Sequence, residues 1–258
     1  NNSIEFNFQS SQIEIKSNKT EMLFNNNSLN SSIFIYILHK IEDITFEIKY
    51  PSKNFTEIFN SILNIEDSQI SRIKIVIFIS NISDIDNRFI SNIPELQDDT
   101  NKVSIKIDFS TILIDDKAFR KCNSIVSLFV PSSVIGIGKS AFYKCSSLSE
   151  ITLPTSIQAI GDLTFSGCSS LRSIKLPSSL KSIGSRSFAN CSSLSKITIP
   201  KTVSKIGYKA FYECFSLSQV IIPSSVIKIC KSAFEGCSSL LQIKIPSSDA
   251  NPISVIEK

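Results

Sequence analysis

The sequence predicts a mainly β solenoid, in which short parallel strands stack rung upon rung with a short helical turn in each rung. Three observations lead there. The stretch AFYKC at 141–145 returns as TFSGC at 164, SFANC at 187, AFYEC at 210 and AFEGC at 233, a step of 23 residues each time. The register holds in columns: Phe119, Phe142, Phe165, Phe188, Phe211 and Phe234 form one, and Cys122, Cys145, Cys168, Cys191, Cys214 and Cys237 another. Each copy also closes an alternating apolar run on a proline: Pro131, Pro154, Pro177, Pro200, Pro223 and Pro246. A period between about 20 and 50 residues marks an array whose units bury their apolar faces only against their neighbours.

Each part of the unit has a physical reason. In LSEITLP, 148–154, Leu148, Ile151 and Leu153 end in the alternation of a half-buried strand, and Pro154 stops it because it cannot donate to a ladder. SIQAIG, 156–161, is a second extended run closed by Gly161, where a turn with positive φ is expected. One helical turn follows, with Phe165 and Cys168 at i and i+3 on its inner face. Ser169 and Ser170 lead back to Leu171 and the next strand. Cys230 stands where the other copies have Gly138, Gly161, Gly184 and Gly207, so a positive φ there would be strained.

The first 116 residues lack this frame. SIEFNF, QIEIK, IFIYIL, ITFEIK, RIKIVIFI and VSIKID read as strands, and 54–63 and 83–93 as amphipathic helices. Phe46, Ile75 and Ile105 lie 29 and 30 residues apart, which predicts two longer strand-plus-helix units, with hairpins at 3–16 and 33–49 capping the open end. Residues 105–119 read as a worn half-repeat joining the two regions. The expected division is 1–116 as a diverged α/β N-terminal cap region, 117–248 as the repeats and 249–258 as a tail or truncated repeat, all in one continuous body. No run of about 18 apolar residues is present to form a membrane-spanning helix. A start at Asn1 without a methionine reads as a processed or excised fragment.

The pattern L-x-x-I-x-I-P-x-S-V-x-x-I-G-x-x-A-F-x-x-C, present as LSEITLPTSIQAIGDLTFSGC and LSKITIPKTVSKIGYKAFYEC, resembles the BspA-like leucine-rich repeats. The resemblance covers about half of the chain. It implies a leucine-rich-repeat solenoid wound as a right-handed superhelix. Members of that family are mostly surface or secreted proteins of mucosal bacteria and protists, so it also implies adhesion or partner binding without a cofactor.

The seven cysteines do not read as a metal site, since each belongs to its own rung and the single histidine, His39, lies far upstream. They read as small buried thiols filling a column. Catalysis needs a nucleophile, a base and an orienting group in one cleft. The repeats contain no histidine, and their four acids, Glu150, Asp162, Glu213 and Glu235, occupy different repeat positions. The chain is therefore expected not to be an enzyme, and the paired serines read as turn chemistry.

Residues 117–248 carry 16 Lys or Arg and 4 acids, a balance of +12, whereas 1–116 carry 10 and 17, a balance of −7. A basic solenoid attracts polyanions, although lysine also serves simply to solvate a repeat surface. On a leucine-rich-repeat body the strand residues between buried positions face the concave surface. That assigns Phe129, Thr152, Lys175, Thr198, Ile221 and Lys244 to one column, and Glu150, Lys196, Gln219 and Gln242 to its neighbour, with Arg172 beside them. These vary within an invariant frame, as a recognition surface requires and as any solvent-facing position is free to do. Sequons at Asn18, Asn26, Asn30, Asn54, Asn81 and Asn190, with another at Asn1, are candidate glycan acceptors. The leading expectation is an extracellular or cell-surface module binding a host or matrix protein or an acidic glycan, with no specific nucleic acid. The alternative is an intracellular scaffold for a protein partner.

Overall fold

The structure is a computed structural model that describes residues 5–9, 12–17, 20–25, 44–50, 73–79, 82–86, 93–97 and 102–244. Its strands are β1 (Glu5–Gln9), β2 (Gln12–Ser17), β3 (Thr20–Asn25), β4 (Ile44–Tyr50), β5 (Ile73–Ile79), β6 (Asp84–Ile85), β7 (Val103–Ile107), β8 (Leu113–Ile114) and β9 (Ile125–Phe129). The repeats continue with β10 (Gly136–Ile137), β11 (Glu150–Thr152), β12 (Ala159–Ile160), β13 (Ser182–Ile183), β14 (Lys196–Thr198), β15 (Lys205–Ile206), β16 (Gln219–Ile221), β17 (Lys228–Ile229) and β18 (Gln242–Lys244). A short 3₁₀ turn spans Pro94–Gln97.

Every complete rung has three walls. The first is a sheet that begins with the antiparallel run β3-β2-β1 and continues in parallel through β4, β5, β7, β9 and β11. Single bridges, Thr152 to Lys175 and Ser173 to Lys196, carry it on to β14, β16 and β18. The second wall is the row of two-residue strands β6, β8, β10 and then β12, β13, β15, β17. The third is a wall of turns. Pro154, Pro177 and Pro200 mark the corner between the sheets, where each proline carbonyl accepts the N–H three residues on, from Ile157, Leu180 and Val203.

The core lies between the walls, and its columns are the expected ones. Successive phenylalanines from Phe119 to Phe234 stack with ring centroids 5.3–5.4 Å apart and planes within 15°. Five cysteine thiols donate to the carbonyl of the phenylalanine in the preceding rung, from Cys145 Sγ to Phe119 O at 2.9 Å through Cys237 Sγ to Phe211 O at 3.0 Å. The paired serines also bind from rung to rung: Ser169 Oγ donates to Ser146 O, and Ser156 and Ser179 hydroxyls donate to Val134 O and Ile157 O at the proline corner.

Several expectations are corrected. The segment read as a helical turn is a string of i→i−3 bonds, such as Tyr143 N–H to Ser140 O and Cys145 N–H to Phe142 O. Two columns of left-handed residues keep it from becoming helix: Lys117, Ser140, Leu163, Arg186, Lys209 and Ser232, and Lys121, Lys144, Gly167, Asn190, Glu213 and Gly236. The left-handed positions free alternate N–H groups to reach the next rung, as Ser140, Phe142 and Lys144 do toward Asp162, Thr164 and Ser166.

Positive φ is therefore not the reason for Gly138, Gly161, Gly184 and Gly207, nor is Cys230 in that region. Close approach is the reason at three of these. A Cβ on Gly184 would meet Gly161 C at 2.6 Å, on Gly207 it would meet Gly184 C at 2.5 Å, and on Gly138 it would meet Asp116 N at 2.4 Å. Beside Cys230, where a Cβ is present, the Lys209 N–H to Lys231 O bond is 3.3 Å, against 2.8–3.0 Å in the four preceding rungs.

The stretch expected as a helix at 83–93 begins instead as β6, because Ile85 pairs with Ile114 and fills the column that Ile137 and Ile160 continue. Of the expected hairpin at 33–49 only β4 is described, and it pairs in parallel with β5 along its length and with β1 at Thr45. Residues 33–43 and the helix expected at 54–63 lie outside the described residues. Phe46 does stand opposite Ile75, but Ile75 stands opposite Val103, so the second long unit is 28 residues and not 30. The first sheet crosses from the N-terminal region into the repeats without a break, through β5, β7 and β9.

Two substitutions test this packing. Phe165→Ala removes a ring stacked on both sides and should cost about 3–5 kcal/mol by denaturant titration, against less than about 0.5 kcal/mol for the exposed Thr152→Ala. Equal losses would mean that the columns are wrongly assigned inside and out. Gly184→Ala should cost about 1–3 kcal/mol through overpacking against the preceding rung. Gly161→Ala should cost less, since its nearest obstacle is the Thr164 hydroxyl at 3.2 Å.

Candidate functional site

The outward face of the first sheet carries the candidate binding residues in columns fixed by pairing. Phe129, Thr152, Lys175, Thr198 and Ile221 occupy one position in successive rungs, and Ser127, Glu150, Ser173, Lys196 and Gln219 another. Between them Leu128, Ile151, Ile174, Ile197 and Val220 point inward and are buried. Phe129, Glu150, Thr152, Arg172, Lys175, Lys196, Thr198 and Ile221 are exposed, and Gln219 is half-buried. Gln242 and Lys244 enter the same columns through β18, but their side chains lie outside the described residues. Arg172 flanks the lysines, one position before Ser173 in the third rung.

The chemistry on this face changes along the axis while the buried frame does not. Phe129 carries an aromatic ring and Ile221 an aliphatic chain, with Lys106 next beyond Phe129 and Lys244 next beyond Ile221 in the same column. Between Phe129 and Ile221 come a carboxylate at Glu150, a hydroxyl at Thr152 and then the cations Arg172, Lys175 and Lys196. Over that span the strip can contact a surface by apolar burial at those two residues and by charge at the cations between them.

The wall of turns carries a second group, which the sequence reading did not single out. Tyr143 lies beneath Arg120 and Lys144 at 5.5 and 5.6 Å, and Tyr208 beneath Arg186 and Lys209 at 5.8 Å each. Lys209 also sits 4.0 Å from the Tyr212 ring and 3.7 Å from Glu235. The signal was the repeated pairing of a tyrosine with a basic neighbour. The tyrosines fall on two different repeat positions, so no column displayed it.

All seven cysteines are free thiols. Five are buried, and burial pushes Cys145 and Cys191 up to about 12 and Cys122 and Cys168 well above the usual thiol range. Cys214 is raised as well, by the neighbouring Cys237 thiol and by burial. Cys237 is half-buried in the sixth rung. Among the described residues no group of His, Cys, Asp and Glu converges as a metal site. Asn190 is exposed on the wall of turns. His39 and the sequons at Asn1, Asn18, Asn26, Asn30, Asn54 and Asn81 lie outside the described residues.

Comparison with known proteins matches residues 95–214 and 160–255 to the BspA type leucine rich repeat region, in six copies. Among solved structures, a Treponema pallidum leucine rich repeat protein is similar at 34% identity and a TM-score of 0.54, over 55% of this chain and 69% of that one. A leucine-rich repeat protein from Bacteroides ovatus is similar at 28% identity and a TM-score of 0.45, over 55% of this chain and 45% of the other. No curated protein sequence matches.

The thiol column predicts a reactivity pattern. In the folded protein near neutral pH an alkylating reagent should label at most Cys230 and Cys237, and after denaturation without reductant it should label all seven, as read by peptide mass. Rapid labelling of Cys168 in the folded state would show that the column is not closed. The raised thiols also set a pH dependence. Where a folded thiol titrates higher than the unfolded one, its stabilising contribution is complete below the unfolded value near 9 and is lost progressively as pH rises toward the folded value of about 12. The melting temperature should therefore fall between about pH 9 and pH 11, and Cys145→Ala with Cys191→Ala should flatten that fall.

Proposed function

Because the chain belongs to the BspA type leucine rich repeat family, we propose that it is an extracellular or cell-surface binding module that mediates adhesion through the outward face of its first sheet. The family and the fold make it a repeat module for binding proteins. The finer reading, attachment to host cells or matrix, rests on one observation: the exposed columns from Phe129 to Ile221 and from Glu150 to Gln219 change chemistry at every rung over a buried frame that repeats. Large apolar side chains flanking a basic centre suit a partner with apolar groups on either side of an acidic middle, where the apolar contacts supply affinity and the charges supply orientation and encounter rate. Membership in a family of mostly surface or secreted proteins supports the extracellular address, and so does the density of sequons before residue 116.

The test changes the centre of the strip without touching a core column. Arg172→Glu, Lys175→Glu and Lys196→Glu together should leave unfolding cooperative and should weaken binding to cells or matrix proteins by about tenfold or more, with a shallower dependence on salt. The matching triple on the wall of turns, Lys139→Glu, Arg186→Glu and Lys209→Glu, should change binding less than about threefold. If the wall variant loses binding while the sheet variant keeps it, the partner uses the turns. Bare sequons throughout protein isolated from its native cells would favour the intracellular scaffold.

A further inference from the structure

We infer that the outward face of the second sheet is a docking surface for an anionic lipid bilayer, separate from the first-sheet face. The five segments that form this wall in the repeats, 131–138, 154–161, 177–184, 200–207 and 223–230, contain four lysines and no carboxylate. Lys181, Lys201, Lys205 and Lys228 are all exposed. Lys205 and Lys228 stand in register on neighbouring strands, roughly 4.8 Å apart along the stack. Like charges placed directly opposite each other destabilise a sheet, and an anionic surface lying on them removes that cost. The acids near this wall are Asp84, Asp86, Asp108, Asp115 and Asp116 in its N-terminal rungs and Asp162 on its border with the turns; Asp84 accepts from the Ser83 hydroxyl, and Asp108, Asp116 and Asp162 accept from the N–H groups of Ser110, Lys139 and Ser185.

The same wall exposes large apolar side chains, which a purely electrostatic site would not. Phe109 is 68% exposed, Ile135 65% and Ile227 84%. Ile227 follows Lys181 and Ser204 in one column, tied by the N–H of Ser204 to Lys181 O and of Ile227 to Ser204 O. Phe109 occupies the repeat position of Lys201, four rungs earlier. The apolar groups thus lie toward both ends of the strip, with the lysines chiefly between, and do not form the central cluster that anchors a protein interface. A sulfated or phosphorylated polymer would neutralise the lysines and leave Phe109, Ile135 and Ile227 in water. The interface of an anionic bilayer accommodates both, with headgroup charge against the ammonium groups and the headgroup–acyl boundary around the apolar chains.

The test is co-sedimentation of the whole chain with vesicles of phosphatidylcholine alone and of phosphatidylcholine mixed with phosphatidylserine. Binding is expected only to the mixture. Lys181→Ser, Lys201→Ser, Lys205→Ser and Lys228→Ser together should lower vesicle affinity by more than about a hundredfold. Their melting temperature should stay at or above that of the parent, because the Lys205–Lys228 repulsion is gone. Should the quadruple variant misfold, Lys205→Gln with Lys228→Gln should still lower affinity by about twentyfold. Ile135→Ser with Ile227→Ser should weaken vesicle binding by about tenfold and leave binding to heparin unchanged. Failure of the parent to prefer anionic vesicles would overturn the inference. So would an isoleucine variant that binds vesicles as the parent does, which would make the occupant a soluble polyanion. Loss of vesicle binding in the Arg172, Lys175, Lys196 triple, with the wall quadruple unaffected, would move the site to the first sheet. The adhesion reading is tested on other residues with other ligands, so either can fail alone.

Discussion

A rung of 23 residues encloses too few side chains to bury its own apolar face, so every inward residue must find its partner one rung away. That constraint is visible in the phenylalanine column, where each ring from Phe142 to Phe211 is covered above and below by an identical ring. It is equally visible in the cysteines. A phenylalanine carbonyl such as Phe142 O already accepts the N–H of Cys145 within its rung and has capacity for a second donor in a place without water. The thiol of Cys168, arriving from the next rung, supplies that donor and fills the space as a small apolar group.

How much of this could be read beforehand depends on whether a residue type has one physical reason or several. Phenylalanine and cysteine at a fixed spacing have essentially one, which is burial in a stack, and the core columns fall where the spacing puts them. Glycine has two, a positive φ or the absence of a Cβ, and the repeat uses them in different places. Gly184 and Gly207 lack a Cβ because the preceding backbone is too close, while Gly167 and Gly236 adopt the left-handed conformation. Asn190, in the same column as Gly167, was the available sign, since asparagine tolerates that region better than most residues. The stretch at 83–93 misled for a related reason. Ile85 satisfies helical spacing and stack register alike, and pairing with Ile114 decides between them.

The candidate surface was legible to a similar depth. Pairing turns the exposed strand residues from Phe129 to Ile221 into straight columns, because strand register carries the 23-residue period directly into space. Charge could be counted but not located. Lys181, Lys201, Lys205 and Lys228 occupy three repeat positions, so no single column shows them, and only folding each rung at its proline corner gathers them onto one wall.

The wall of turns also has an electrical direction. From Lys117 to Glu213, fifteen N–H groups in five rungs donate to carbonyls of the following rung. The peptide planes that hold these donors are therefore aligned, each with its carbonyl toward the N-terminal side and its N–H toward the C-terminal side. Aligned peptide dipoles add, as they do along a helix axis. Here the positive pole lies toward the C-terminal rungs and the negative pole toward Lys117, opposite in chain sense to a helix. Lys117, Arg120 and Lys121 stand on the rung at the negative pole, and Glu213 and Glu235 near the positive one. Each added rung lengthens this dipole, so the number of repeats sets the reach of the field as well as the length of the stack.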